Sequence, residues 1–294
     1  MARCRHGVGA ALVALVALAG CGSSPTATPA TTTAPAAAVP AAPAARPDAT
    51  PGALPTAGEQ QAAIAHYAGV GLPLFCGGRH GGLVALTFDD GPGRYTPIAL
   101  RELRRAGMRA TFFLVGTSIA RYPQWPRRER ELGAIGDHTQ THANLRFLSL
   151  DGAIAEVRTG RSAAIAASGA RVDVFRPPYG AHTAAIDAAV GHDGLAEILW
   201  DVDSEDSRVV PPADYREISA TVRREIRPGS IVLMHENRGQ TIRALRAILP
   251  SLERRGLRSV TVPELLAADP PSKAQLDAGR NGCGPPPATH GSGG

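Results

Sequence analysis

Leu83-Val84-Ala85-Leu86-Thr87-Phe88-Asp89-Asp90-Gly91 is an apolar, β-prone run that stops abruptly on two carboxylates and a glycine. Such a run, bounded by turn chemistry, reads as a buried strand. Residues 96–106 follow with helical character, Thr96 as the N-cap and Pro97 at the first helical position. The same alternation continues downstream. Strands are expected at 110–115, 172–175, 195–200, 230–234 and 258–262, and helices at 151–167, 214–226 and 241–255, the last ended by Gly256. Alternation of this kind argues for an α/β protein with a mainly parallel sheet. An open doubly wound sheet and a barrel both satisfy it.

Around this core the chain of 294 residues carries appendages of different composition. Residues 1–20 have a basic start (Arg3, Arg5) and then an apolar run too short to span a bilayer comfortably. Leu18-Ala19-Gly20-Cys21 ends it and resembles a bacterial lipobox, so Cys21 is expected to be acylated and to anchor the protein outside the cytoplasm without a transmembrane helix. Residues 21–65 are rich in Pro, Ala and Thr and read as a disordered tether. Residues 76–268 are expected to form the catalytic domain and 269–294 a flexible tail. Cys76 and Cys283 flank the domain, and an even pair in an oxidising compartment invites a disulfide stapling its ends. A net charge of +5 without a basic stripe interleaved with aromatics excludes nucleic acid as the partner.

Residues of catalytic type gather at the expected strand ends, which form the active face of an α/β barrel. Asp89 and Asp90 repel each other unless a cation holds one, although Asp-Asp-Gly is also good turn chemistry. His138 and His142 are four apart, the spacing of one face of a helical turn, and can converge on a metal. One carboxylate and two imidazoles leave an open position, as in catalytic zinc sites; the same set suits non-haem iron. Arg176-Pro177-Pro178-Tyr179-Gly180 combines a carboxylate-gripping arginine with a stiff turn able to aim the Tyr179 N–H at an oxyanion, or is simply a rigid turn. Asp201, Asp203, Glu205 and Asp206 are a solvated loop or include the acid that holds Arg176. His235, closing the run that contains Leu233, is a general-acid candidate.

These clusters, in this order, resemble the polysaccharide deacetylases of carbohydrate esterase family four, the nodulation-protein-B homology domain. The resemblance spans about residues 80–266 and includes 110–116 as the family's second strand. It implies a deformed (β/α) barrel and a hydrolase that removes N-acetyl groups from a polysaccharide. It implies that Asp90, His138 and His142 hold a divalent metal, zinc first, with cobalt, manganese or nickel fitting the same donors. Asp89 would be the general base and His235 the acid that protonates the leaving amine. The Tyr179 N–H would hold the oxyanion, and Leu233 would line the acetyl-methyl pocket. Arg176 would hold Asp89 in place, with Asp206 behind Arg176. One position departs from the family: Ser207 stands where a tryptophan usually walls the acetyl pocket, so Trp200 or another aromatic would have to replace it.

The expected substrate is peptidoglycan N-acetylglucosamine, met by a monomeric enzyme tethered at the membrane. An O-acetyl (xylan-type) esterase using the same site is the first alternative. A non-catalytic glycan-binding lipoprotein is the second, and the presence of base, ligands and acid weighs against it.

Overall fold

The computed structural model describes residues 53–284. The expected signal, Cys21 and the tether as far as 52 lie outside the described residues, as do 285–294. Eight strands form one sheet: β1 (Leu83–Gly91), β2 (Ala110–Leu114), β3 (Gly133–Asp137), β4 (Val174–Phe175), β5 (Ala196–Glu197), β6 (Val202–Asp203), β7 (Ile231–His235) and β8 (Arg258–Ser259). The order is β5-β4-β3-β2-β1-β7-β6, with β8 against the start of β1, and every pair is parallel. The end strands β5 and β6 are consecutive in the chain, so the sheet curls until its edges nearly meet, with 198–201 running between them. This is the deformed barrel, and it settles the choice against an open sheet.

Helices α1 (Ala57–Val70), α2 (Thr96–Arg105), α3 (Gly116–Arg121), α4 (Pro126–Leu132), α5 (Leu150–Ser168), α6 (Ala184–His192), α7 (Tyr215–Glu225), α8 (Gly239–Arg254), α9 (Val262–Ala268) and α10 (Lys273–Asp277) surround it. Their starts follow local chemistry. Ser149 caps α5 through Gly152 N, and Asp214 and Glu217 form a reciprocal capping box on α7. Thr96 is not the cap of α2: Tyr95 holds that position, and the Thr96 hydroxyl instead receives Gly93 N–H and donates to Glu236. Several strands are shorter than their apolar runs, because only part of each run finds a ladder partner.

Side-chain alternation along β1 sorts two cores. Val84, Leu86 and Phe88 face outward to a cluster with Leu103 of α2, Val222 of α7 and Leu245 of α8. Ala85 faces inward with Phe113, Val174 and Ile231, and there Ile64 and Tyr67 of α1 and Leu265 and Leu266 of α9 plug the barrel floor. Thr87 and Asp89 therefore also point inward, one and two rungs above the plug.

Two boundaries move. The tether expected over 21–65 overlaps α1. Thr56 and Glu59 cap that helix reciprocally, and its Ala63, Ile64, Tyr67 and Ala68 are buried. An Ala-rich stretch free of proline is a good helix, not a linker, so the folded unit begins well before residue 76. The tail expected from 269 is also structured as far as 284. It contains α10 and a short 3₁₀ turn, Gly279–Cys283. Cys283 is bonded to Cys76, as expected, with Cα atoms 5.9 Å apart. Arg227 adds a hydrogen bond to the Cys283 carbonyl, and Arg79 one to Gly282.

Candidate active site

Every element of the site leaves the C-terminal end of a strand. Asp89 and His235 are register partners on β1 and β7, as are Thr87 and Leu233, so these four lie on one inward face. His138 follows β3, Arg176 follows β4 and Asp203 ends β6. Asp89, His138, Asp203, Leu233 and His235 line a cleft of about 480 Å³, with Asp90, His142, Pro177, Tyr179, Trp200, Ser207, Val209 and Arg238 completing its wall. Trp200 and Ser207 thus share this wall, the indole lying beside Gly180, where an added Cβ would come 3.0 Å from the ring.

Arg176 is fully buried. Its Nη1 donates to Asp89 Oδ1 at 2.8 Å and to Thr87 Oγ1 at 2.7 Å, while Nε and Nη2 donate to the carbonyls of Ile198 and Leu199. The guanidinium lies 4.2 Å over the Phe113 ring. A charge so deep is tolerable only because it is paired and hydrogen-bonded around its edge. Asp89 is held by one oxygen, and the other lies 3.6 Å from His138 Nε2.

Asp90, His138 and His142 converge as expected, but not on a helix. The chain from 138 to 144 is loop, with Thr139 and His142 in the left-handed region at φ 67° and 62°. Strained backbone, rather than helical periodicity, brings the rings to 4.9 Å between centroids. Asp90 itself has φ 66°, and Tyr179 φ 62°. His138 Nδ1 lies 2.7 Å from the Arg176 carbonyl, which only accepts, so Nδ1 carries the proton and neutral His138 turns a bare Nε2 to the site. Burial pulls His138 below its usual value, with Asp89 and Asp90 opposing. Asp90 Oδ1 is buried with no donor aligned on it, yet it lies 3.1 Å from His142 Nε2 and 3.8 Å from His138 Nε2. Burial raises the Asp90 carboxyl, but His142, His138 and His235 outweigh it and hold it well below the usual range. Three donor atoms within 4.8 Å, one an orphaned carboxylate oxygen, fit a divalent cation.

Asp206 is not behind Arg176. It accepts from His235: Nδ1 lies 2.6 Å from one carboxylate oxygen, and the His235 N–H lies 2.7 Å from the other. Thr241 also donates to it. The 204–206 turn swings this acid toward β7, and Arg176 is met instead by backbone carbonyls and by the charge of Asp203. Burial works against a charged His235, but the hydrogen bond and charge of Asp206, helped by Asp89 and Asp90, raise its pKa to about 9. Two further residues carry no sequence signal. Asn237 donates to Asp90 Oδ2 at 3.0 Å, and Thr241 fixes Asp206. Both follow His235 closely, and no motif spacing marks them.

A family model described as polysaccharide deacetylase matches residues 77–198. A chitooligosaccharide deacetylase of Bradyrhizobium is 36% identical over 217 residues, covering 66% of this chain and 98% of that protein. A peptidoglycan-N-acetylglucosamine deacetylase of Listeria monocytogenes is 33% identical, over 62% of this chain and 38% of its own length. The solved family 4 carbohydrate esterase of Streptomyces lividans, in complex with acetate, superposes with a TM-score of 0.57 at 34% identity, over 62% of this chain and 92% of that one. The chain belongs to the polysaccharide deacetylases of carbohydrate esterase family four, hydrolases that remove acetyl groups from polysaccharides.

Proposed function

We propose that this protein removes the N-acetyl group from N-acetylglucosamine residues of peptidoglycan, using zinc held by Asp90, His138 and His142. When bound, the cation polarises the acetyl carbonyl and acidifies water. Asp89, held by Arg176, takes a proton from the attacking water. The Tyr179 N–H donates to the carbonyl oxygen as it gains charge. His235, with Nδ1 tied to Asp206, delivers a proton from Nε2 to the departing amine. One water and one amide become acetate and an amine. Leu233 receives the acetyl methyl. The observation that carries this reading is the pair of oriented groups in one cleft: Asp89 on Arg176 and His235 on Asp206, beside three metal donors.

The names of the relatives support the choice of an acetylated aminosugar polymer. The Leu18–Cys21 lipobox supports a substrate outside the cytoplasm, reached by a monomer anchored at Cys21 through residues 21–56. Acetate release from N-acetylglucosamine oligomers and from peptidoglycan tests the reading. Chelation should abolish release, zinc should restore it, and Asp89→Asn should lower it by about 10²–10⁴-fold. Release from acetylated xylan but from no N-acetyl substrate would convert the assignment to an O-acetyl esterase. Release from neither would overturn catalysis.

A further inference from the structure

A second three-donor cluster lies away from the cleft. His182 stands in the loop just beyond Gly180, Asp187 on the first turns of α6, and Glu197 on β5. His182 Nδ1 is 3.1 Å from both Asp187 oxygens and 3.8 Å from Glu197 Oε1. One ligand atom from each residue lies within 4.8 Å of the other two.

Glu197 makes this more than a polar patch. It is 4% exposed, and neither carboxylate oxygen receives a hydrogen bond. Burial pushes its carboxyl well above the usual range, and the neighbouring Asp187 carboxylate pushes it further. A buried, unpartnered carboxylate costs several kcal/mol unless something neutralises it. The buried carboxylates at the active site have such partners: Asp89 has Arg176, and Asp206 has three donors. Among the described residues, His182 is the only cationic side chain paired with Asp187 or Glu197.

A proton shared between Asp187 and Glu197, with His182 hydrogen-bonded to Asp187, is the competing arrangement, and it predicts one zinc per chain rather than two. A tetrahedral ion with bonds of about 2.0 Å needs donors about 3.3 Å apart. The 3.1 and 3.8 Å separations bracket that value. The donor set of one imidazole and two carboxylates suits zinc, and a divalent ion would leave the site electrically neutral. His182 is about a third exposed, which leaves solvent access for a fourth ligand.

We propose that His182, Asp187 and Glu197 form a second zinc site, its fourth position open to solvent, which pins the loop carrying Tyr179 to β5 and α6. That loop needs pinning, because Tyr179 and Gly180 are both left-handed, at φ 62° and 63°. The site stands apart from the catalytic donors and from the deacetylase reading.

Zinc counted by elemental analysis, after reloading the purified protein and removing free metal, tests the site. The wild type should hold two equivalents. Glu197→Gln and His182→Ala should each hold one, with unchanged circular dichroism. A His138→Ala/His142→Ala double variant should also hold one, which adding Glu197→Gln should remove. One equivalent in the wild type, or a count unmoved by either substitution, would overturn the site. If Glu197→Gln fails to fold, His182→Ala carries the test from its partly exposed position.

Discussion

Asp206 overcomes the burial of His235, and this has a sign that can be measured. A histidine whose folded pKa is raised from about 6.5 to about 9 contributes stability that is complete below about 6.5 and disappears as the pH climbs through about 9. In the proposed role of proton donor it stays charged through neutrality, so activity should fall on the alkaline side. In chelated protein, NMR titration of His235 should give the value near 9. In zinc-loaded protein the alkaline limb of kcat should lie lower, because a cation on Asp90 cancels part of the negative charge that favours imidazolium; coincident values would contradict this. Asp206→Asn should move the limb further acidward and lower kcat at pH 7 by about 10–10²-fold. Asn237→Ala, which frees Asp90 Oδ2, should weaken zinc binding by about 10–10²-fold in a chelator competition. The convergence of Asp90, His138 and His142 and the facing of Asp89 and His235 were legible because these residue types stand at strand ends. Pairing between loops was not, since four acids in six positions do not say which one turns toward β7. The His182 cluster was equally silent, because its members come from a loop, a helix and a strand with no shared spacing.

Elements place the histidine loop more than local propensity does. The i,i+4 spacing suggested a helical turn, but what holds 138–142 is the close approach of α5. A Cβ on Gly160 would fall 2.4 Å from the Thr139 carbonyl carbon and 2.5 Å from Asp137 Oδ1. Asp137 is buried and steadies the turn by accepting from Thr139 N–H. Gly160→Val should therefore push α5 off the loop and reduce zinc affinity at least tenfold while the circular dichroism stays helical. An unchanged affinity would show that the loop holds itself. The strand–helix order was readable because buried parallel strands are near-continuous apolar runs. Helix α1 was missed although its capping signature, Thr56 and Glu59, was in view. Its alanines resemble the proline-rich stretch before it, and the loss of proline together with Glu59, Gln60, Gln61, His66 and Tyr67 marks the change.

Over the whole molecule, the segment just before β1 is tied to the C-terminal end of the described chain. The Cys76–Cys283 bond closes a loop of more than 200 residues, with a sequence separation of 207. Removing it should cost about 2–5 kcal/mol. Thermal unfolding should move down by several degrees in reductant, and a Cys76→Ser/Cys283→Ser variant should show the lowered midpoint with or without reductant. The curled architecture followed from family resemblance, whereas alternation alone left the open sheet standing; closure depends on how 198–201 bridges β5 and β6, which no local pattern encodes. The central position of β1 has a consequence in time. It is the first strand to emerge from the ribosome, yet its neighbours include β7 and β8, which emerge nearly last. Contacts so distant in sequence make folding slow, and they leave Asp89 without the facing His235 until the chain is almost complete. The cleft of this protein therefore cannot assemble until β7 has left the ribosome.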